Sequence, residues 1–207
     1  MNSTLFASLF VLISTSLSFN PAAWAIEPGA APLGEVFEQL KDSGENYEIT
    51  GTVCEQVARL ELQRDYPAPR YEVLTGVAYA EARRVIGELD VVVFDKSAAA
   101  DGKAVLIAEV KCWKNLPGGS RKARQQRKRF LDTMEQNQKV DFYLVSKREV
   151  QFERDQFQQA KRFISISQNG GHQAGFEDCL PYTLEELMAL RERLMKCQNQ
   201  GECRRAN

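Results

Sequence analysis

Two periodicities alternate along the chain. Val53, Val57, Leu60 and Leu62 recur near the helical period, and Thr50 or Thr52 stands where an N-cap belongs. Pro67 and Pro69 end that helix after about Asp65. A shorter helix is predicted over residues 36–44. Tyr71–Val77 and Leu89–Phe94 are rich in β-formers and predict strands, as do Ala104–Cys112 and Val140–Ser146. Ala78–Arg84 is ambiguous, because its Ala, Glu and Arg favour helix. Asp101-Gly102 marks a turn, so the second and third strands form a hairpin or nearly one. Leu116–Ser120 (LPGGS) reads as a loop, and Arg121–Gln136 as a helix. Asp155–Phe163 reads as helical, and Ser167–Gly175 as a loop carrying His172. Thr183 followed by Glu186 is a capping box opening a helix to Lys196. Helices alternating with strands predict an α/β fold, with a small central mixed sheet flanked by helices. The helix before residues 140–146 suits a parallel crossover.

The chain ends change the organisation. Residues 1–25 carry no charged side chain, Leu5–Leu17 is largely apolar, and Ala23-Trp24-Ala25 is a small-x-small ending. This predicts a secretory signal cleaved after Ala25, although Met1–Thr4 lacks the usual positive charge. The apolar run is too short and too interrupted by Ser and Thr for a membrane span. The expected mature protein starts at Ile26, in a periplasm or outside the cell. Residues 26–49 are expected as linker and short helix, 50–196 as the domain and 197–207 as a tail. A domain of this size buries about 70% of its unfolded surface.

Net charge is −1 over 207 residues, so overall charge implies no nucleic-acid partner. Its distribution does. Glu109–Arg129 holds eight basic residues and one acid, Glu109 itself. Arg121, Lys122, Arg124, Arg127, Lys128 and Arg129 fill six of nine consecutive positions, a density that suits phosphodiester backbone. The alternative is a surface helix meeting acids such as Glu185 or Glu192. Five cysteines, Cys54, Cys112, Cys179, Cys197 and Cys203, are compatible with disulfides after export. Cys197 and Cys203 flank Gly201 and are spaced to close a small loop, and the odd total leaves at least one thiol free or paired between chains. No CxxC pair is present and His172 is the only histidine, which argues against a zinc site.

Strand alternation places Asp90, Val92 and Phe94 on one face, and Ile107, Glu109 and Lys111 on one face of the next strand. A hairpin brings Asp90 beside Glu109 and Lys111. Charges in so apolar a sheet need a partner, solvent or a metal. A carboxylate pair offers the hard oxygens that Mg²⁺ or Mn²⁺ prefers. Lys111 reaches the same space and suits an attacking water or a phosphate in its transition state.

Residues 87–95 (GELDVVVFD) followed by 106–111 (LIAEVK) resemble the PD-(D/E)xK nuclease superfamily, including its restriction-endonuclease-like and Holliday-junction-resolvase-like domains. The likeness covers residues 50–146. It implies an αβββαβ core and a metal-dependent nuclease, a DNA endonuclease in the first instance, with RNA as a second substrate and a homodimer as one assembly. It implies Asp90 and Glu109 as metal ligands with the Val110 carbonyl, and Lys111 as the catalytic lysine. It also implies a glutamate from the preceding helix, Glu55 ahead of Glu61, and a glutamine from the following one, Gln125 or Gln126. Leu89, rather than proline, precedes Asp90.

Plainer readings stand beside these. Asp90, Glu109 and Lys111 also fit a cross-strand ion-pair network, Glu55 a solvated helix position, and Glu88 a solvent-facing residue before its strand. His172 fits a surface loop. Trp113 fits either a cap on the sheet edge or a wall of the substrate groove beside Lys111 and Lys114. Two further functions remain in play: a catalytically silent nucleic-acid-binding module on the same fold, and an exported protein-interaction domain.

Overall fold

The computed structural model describes residues 31–97, 102–136, 139–158 and 160–205. The expected signal segment, residues 1–25, lies outside them. Eleven elements carry the fold: α1 Leu33–Leu40, α2 Thr52–Asp65, β1 Tyr71–Glu81, β2 Arg84–Asp95, β3 Lys103–Val110, α3 Leu116–Glu135, β4 Asp141–Leu144, β5 Lys147–Phe152, β6 Arg162–Ser167, β7 Asp178–Cys179 and α4 Leu184–Asn199. The strands form one seven-stranded mixed sheet in the order β5-β4-β1-β2-β3-β6-β7. The protein is therefore α/β.

The sheet has apolar residues on both faces. On one, Val73, Val91, Val93, Leu106, Ala108, Ile164 and Ile166 pack with Val53, Val57 and Leu62 of α2 and with buried residues of α1 and α4. On the other, Val77, Tyr79, Leu89, Val92, Phe94, Ile107 and Phe142 pack around Phe130 of α3. Phe142 and Phe157 stack at 4.2 Å within this second core.

β1 continues through the ambiguous stretch to Glu81, and Ala82 and Arg83, both at positive φ, close a two-residue turn into β2. Helix propensity loses here because β1 lies between β2 and β4 and buries Ala78, Tyr79 and Ala80. Leu116–Ser120 is the first turn of α3 rather than a loop. Asn115 caps it by accepting from Gly118 N at 3.0 Å, and Pro117 sits in its opening turn, where its missing N–H costs nothing. α2 begins at Thr52 with Gly51 as N-cap, so neither threonine caps it with its side chain. Thr183 and Glu186 form the expected box at α4.

Two expectations about connectivity are corrected. β4 pairs antiparallel with β1 and turns into β5, so the chain after α3 makes no parallel crossover there. The strand beside β3 is β6, parallel to it, formed partly from residues expected to be helical. Among the described residues of that region, only Arg154–Gln156 is helical, as a 3-10 turn. The alternating RFISIS run sends Ile164 and Ile166 into the α2 core, and that burial decides the conformation.

The ends also belong to the domain. Val36, Phe37 and Leu40 of α1 are core residues rather than linker. A Cys197–Cys203 disulfide turns the chain back after α4, Cys203 is buried, and Gln198 donates to the carbonyls of Glu45 and Arg204. The segment expected as a tail is thus packed at least to Arg204.

Gly76 lies within β1 at φ 71°, flanked by Thr75 and Val77, which pair with Val91 and Leu89. A Cβ there would stand 3.2 Å from Glu88 Oε1. Gly76→Ala is expected to cost about 1–2 kcal/mol, the left-handed penalty for an L side chain. The shift of the urea midpoint measures it, and an unchanged midpoint would show that the strand relaxes there.

Candidate active site

Opposite Gly76, the alternation of β2 is interrupted. Leu89 packs in the same core as Val92 and Phe94, while Val91 and Val93 pack in the other. Strict alternation over Asp90, Val92 and Phe94 therefore does not hold. On β3 it does: Ile107 packs on the α3 side and Ala108 and Val110 on the α2 side, and Glu109 lines a small cavity with Ala123, Arg124 and Arg127 of α3.

Three oxygens converge on one point. Lys111 Nζ lies 2.5 Å from Asp90 Oδ2, 3.0 Å from the Val110 carbonyl oxygen and 3.4 Å from Glu109 Oε2. Asp90 Oδ2 also accepts from Val110 N at 2.7 Å, which fixes the carboxylate against the end of β3. The side chains of Glu109, Asp90 and Lys111 are 1%, 9% and 12% exposed, so this ammonium and these carboxyls meet with little water between them.

The cluster has more acid than base. Burial, and then the charge of Asp90, pushes the Glu109 carboxyl well above its ordinary range, with Lys111 opposing. Burial, then Asp90 and Glu88, raises Glu55 in the same direction. Glu88 stands at the solvent-accessible rim, where desolvation by the surrounding protein and the charge of Asp90 raise it. Burial works against the charged form of Lys111, but Asp90 and Glu109 outweigh it and raise its pKa. Lys111 thus interacts electrostatically with four carboxyls, Glu55, Glu88, Asp90 and Glu109, and is in direct contact with the last two.

Of the two helix glutamates expected near the site, Glu55 is the one that feels Asp90 and Lys111. Glu61 pairs with Arg64 at 2.8 Å instead. Gln125 is exposed on α3. Helical rotation turns Ala123, Arg124 and Arg127 toward Glu109. Gln126 is half-buried, and its Oε1 has no partner among the described residues. His172 Nδ1 lies 3.2 Å from the Phe176 carbonyl oxygen in a 3-10 turn, Gly171–Ala174.

The basic helix is partly compensated from within. Lys128 pairs with Asp132 at 2.6 Å and Arg127 with Glu177 at 3.3 Å, while Arg124 donates to Ser120 Oγ. Glu185 and Glu192 are not the acids involved. Lys114, Arg121 and Lys122 are exposed and form no ion pair among the described residues.

Sequence reasoning missed what supports the centre. A disulfide joins Cys54, next to Glu55, to Cys112, next to Lys111, across 58 residues of sequence. Cys179 is the remaining free thiol. Buried Ser167 donates to the Lys111 carbonyl at 2.9 Å, and buried Gln168 donates to the Trp113 carbonyl at 2.9 Å. The adjacency of Cys54 and Cys112 to site residues was the only available signal for the bridge. Ser167 and Gln168 gave none, because their role depends on β6 lying beside β3.

Among the described residues, no three of His, Cys, Asp and Glu are grouped so as to hold a metal by themselves. The oxygen donors that do converge are two carboxylates and one backbone carbonyl, a set that suits a hard cation retaining several waters. Lys111 Nζ lies within 3.4 Å of all three. Among the same residues no helix is long and apolar enough to cross a membrane. No family model, curated protein or solved structure matches the chain.

Proposed function

We propose that this protein is a Mg²⁺- or Mn²⁺-dependent nuclease that hydrolyses phosphodiester bonds, with DNA as its substrate. The observation that carries this reading is the convergence of Asp90 Oδ2, Glu109 Oε2 and the Val110 carbonyl oxygen on one cation position. The order α2, β1, β2, β3, α3 and β6, with the β4–β5 hairpin before the final strand, supports a restriction-endonuclease-like αβββαβ reading.

Asp90, Glu109 and the Val110 carbonyl would hold the metal, which supplies polarisation of a phosphoryl oxygen and a lowered pKa for water. The chain's own residues do the rest. Lys111 presents its ammonium to the anionic phosphate, where charge grows as water bonds to phosphorus and the bond to the leaving sugar oxygen breaks. Glu55 closes the centre from α2, on the side pinned by the Cys54–Cys112 bridge. Lys114, Arg121 and Lys122 supply uncompensated charge for the flanking phosphates. The two disulfides suit an oxidising compartment, in keeping with export.

The second reading is a silent binding module, favoured by the fact that Lys111 already satisfies both carboxylates. Incubation of the purified chain with supercoiled and linear DNA, with Mg²⁺ or with chelator, separates the two. Metal-dependent nicking is the expected outcome. DNA binding without cleavage in any divalent metal would favour the module.

A further inference from the structure

The segment immediately after Lys111 is pinned at four successive points. Ser167 Oγ donates to the Lys111 carbonyl, Cys112 is bridged to Cys54, Gln168 Nε2 donates to the Trp113 carbonyl, and Asn115 caps α3 through Gly118 N. Against such a fixed backbone, the Trp113 side chain remains 43% exposed. It is the one aromatic among the large exposed hydrophobics of the described residues; the others are Ile49, Val85, Leu131, Val145 and Val150. A fixed, solvent-exposed indole presents a flat apolar face with its N–H free to hydrogen-bond, a geometry that suits stacking.

Its surroundings indicate the stacking partner. The Trp113 Cβ stands 3.7 Å from where a Cβ on Gly119 would lie, so the residue rests against the first turn of α3. That is the positive end of the helix dipole. Lys114 follows it directly, and Arg121 and Lys122 lie further along the same helix without ion pairs. Trp113 lies two positions beyond Lys111, a Cα span of at most about 7 Å. An aromatic face next to uncompensated positive charge is the pairing that single-stranded nucleic acid uses, with phosphates on the cations and a base on the ring. Paired bases inside a duplex have both faces covered and cannot offer one without being turned out of the stack.

We propose that Trp113 is a stacking platform for an unpaired base adjoining the phosphate held at Lys111, and that the preferred substrate is therefore single-stranded DNA. This rests on the nuclease reading for the position of the phosphate, but stacking itself can be read without catalysis.

The test uses the full chain carrying Trp24→Phe, which leaves Trp113 as the sole tryptophan. Chelator is present to prevent cutting. A twelve-nucleotide oligothymidylate should quench Trp113 emission, whereas an abasic strand of the same length and a blunt duplex should not. Anisotropy of a labelled oligothymidylate should show Trp113→Ala binding about ten- to a hundred-fold more weakly, the effect expected for one stacked base, and Trp113→Phe binding close to wild type. Circular dichroism of the variants should match the parent. Equal oligothymidylate affinity in Trp113→Ala and wild type, or equal quenching by the abasic strand, would overturn the proposal. Quenching by oligothymidylate in a protein that cuts nothing would support stacking and defeat the nuclease reading. Metal-dependent cutting of duplex that is indifferent to Trp113→Ala, with no quenching by single strands, would do the reverse.

Discussion

Lys111→Ala is expected to lower DNA cleavage about 10²- to 10³-fold while leaving divalent-metal affinity equal or higher. The first effect is that of removing one preorganised positive charge from a developing oxyanion. The second follows from the geometry, since the ammonium lies on the same three oxygens that would hold the metal. Its removal deletes a competitor and leaves the carboxyls of Glu55, Glu88, Asp90 and Glu109 without a compensating cation. The metal-free variant should also be less stable, because breaking a buried ion pair by removing one partner costs about 3–5 kcal/mol. Mg²⁺ should then raise the melting temperature of Lys111→Ala more than that of wild type. Nicking assays, calorimetric titration and thermal melts on the same preparations read all three. A wild-type cleavage rate, or loss of metal binding together with the lysine, would contradict this assignment.

The second large effect is expected at the Cys54–Cys112 bridge. Its loop spans 58 residues, and the chain-entropy model gives a stabilisation of about 4 kcal/mol. The Cys197–Cys203 loop spans 6, for which the same model gives about 2 kcal/mol. Stability is only part of the difference. The first bridge ties the residue beside Glu55 to the residue beside Lys111, whereas the second closes the chain after α4. Cys54→Ser with Cys112→Ser should therefore slow nicking well below the temperature at which the variant unfolds. Cys197→Ser with Cys203→Ser should lower the melting temperature and leave the rate unchanged. Nicking that follows the folded fraction equally in both variants would reduce the first bridge to a structural clamp.

The parts of the fold legible in the sequence were those set by short-range pattern. Leu89–Phe94, the strand to Glu109, the body of α3 and the Thr183–Glu186 box each carry their own signal within a few residues. The convergence of Asp90, Glu109 and Lys111 was legible for the same reason, since one hairpin separates them. Partner choice among distant strands was not. Val140–Ser146 reads as the end of a parallel crossover, and its antiparallel pairing with β1 depends on burial of β1 from both edges. That same burial overrides the helix propensity of Ala78–Arg84. The loop reading of Leu116–Ser120 overlooked a signal that was present: Asn115 as cap and Pro117 in the first turn outweigh Gly118 and Gly119.

The most direct measurement is a titration of Mn²⁺ into the wild-type chain, Lys111→Ala and the Asp90→Asn, Glu109→Gln double variant, followed by calorimetry, with circular dichroism confirming that each is folded. Wild type and Lys111→Ala should each take up Mn²⁺ at a site that the double variant lacks. Equal Mn²⁺ affinity in the double variant would contradict the claim that Asp90 and Glu109 form the metal centre.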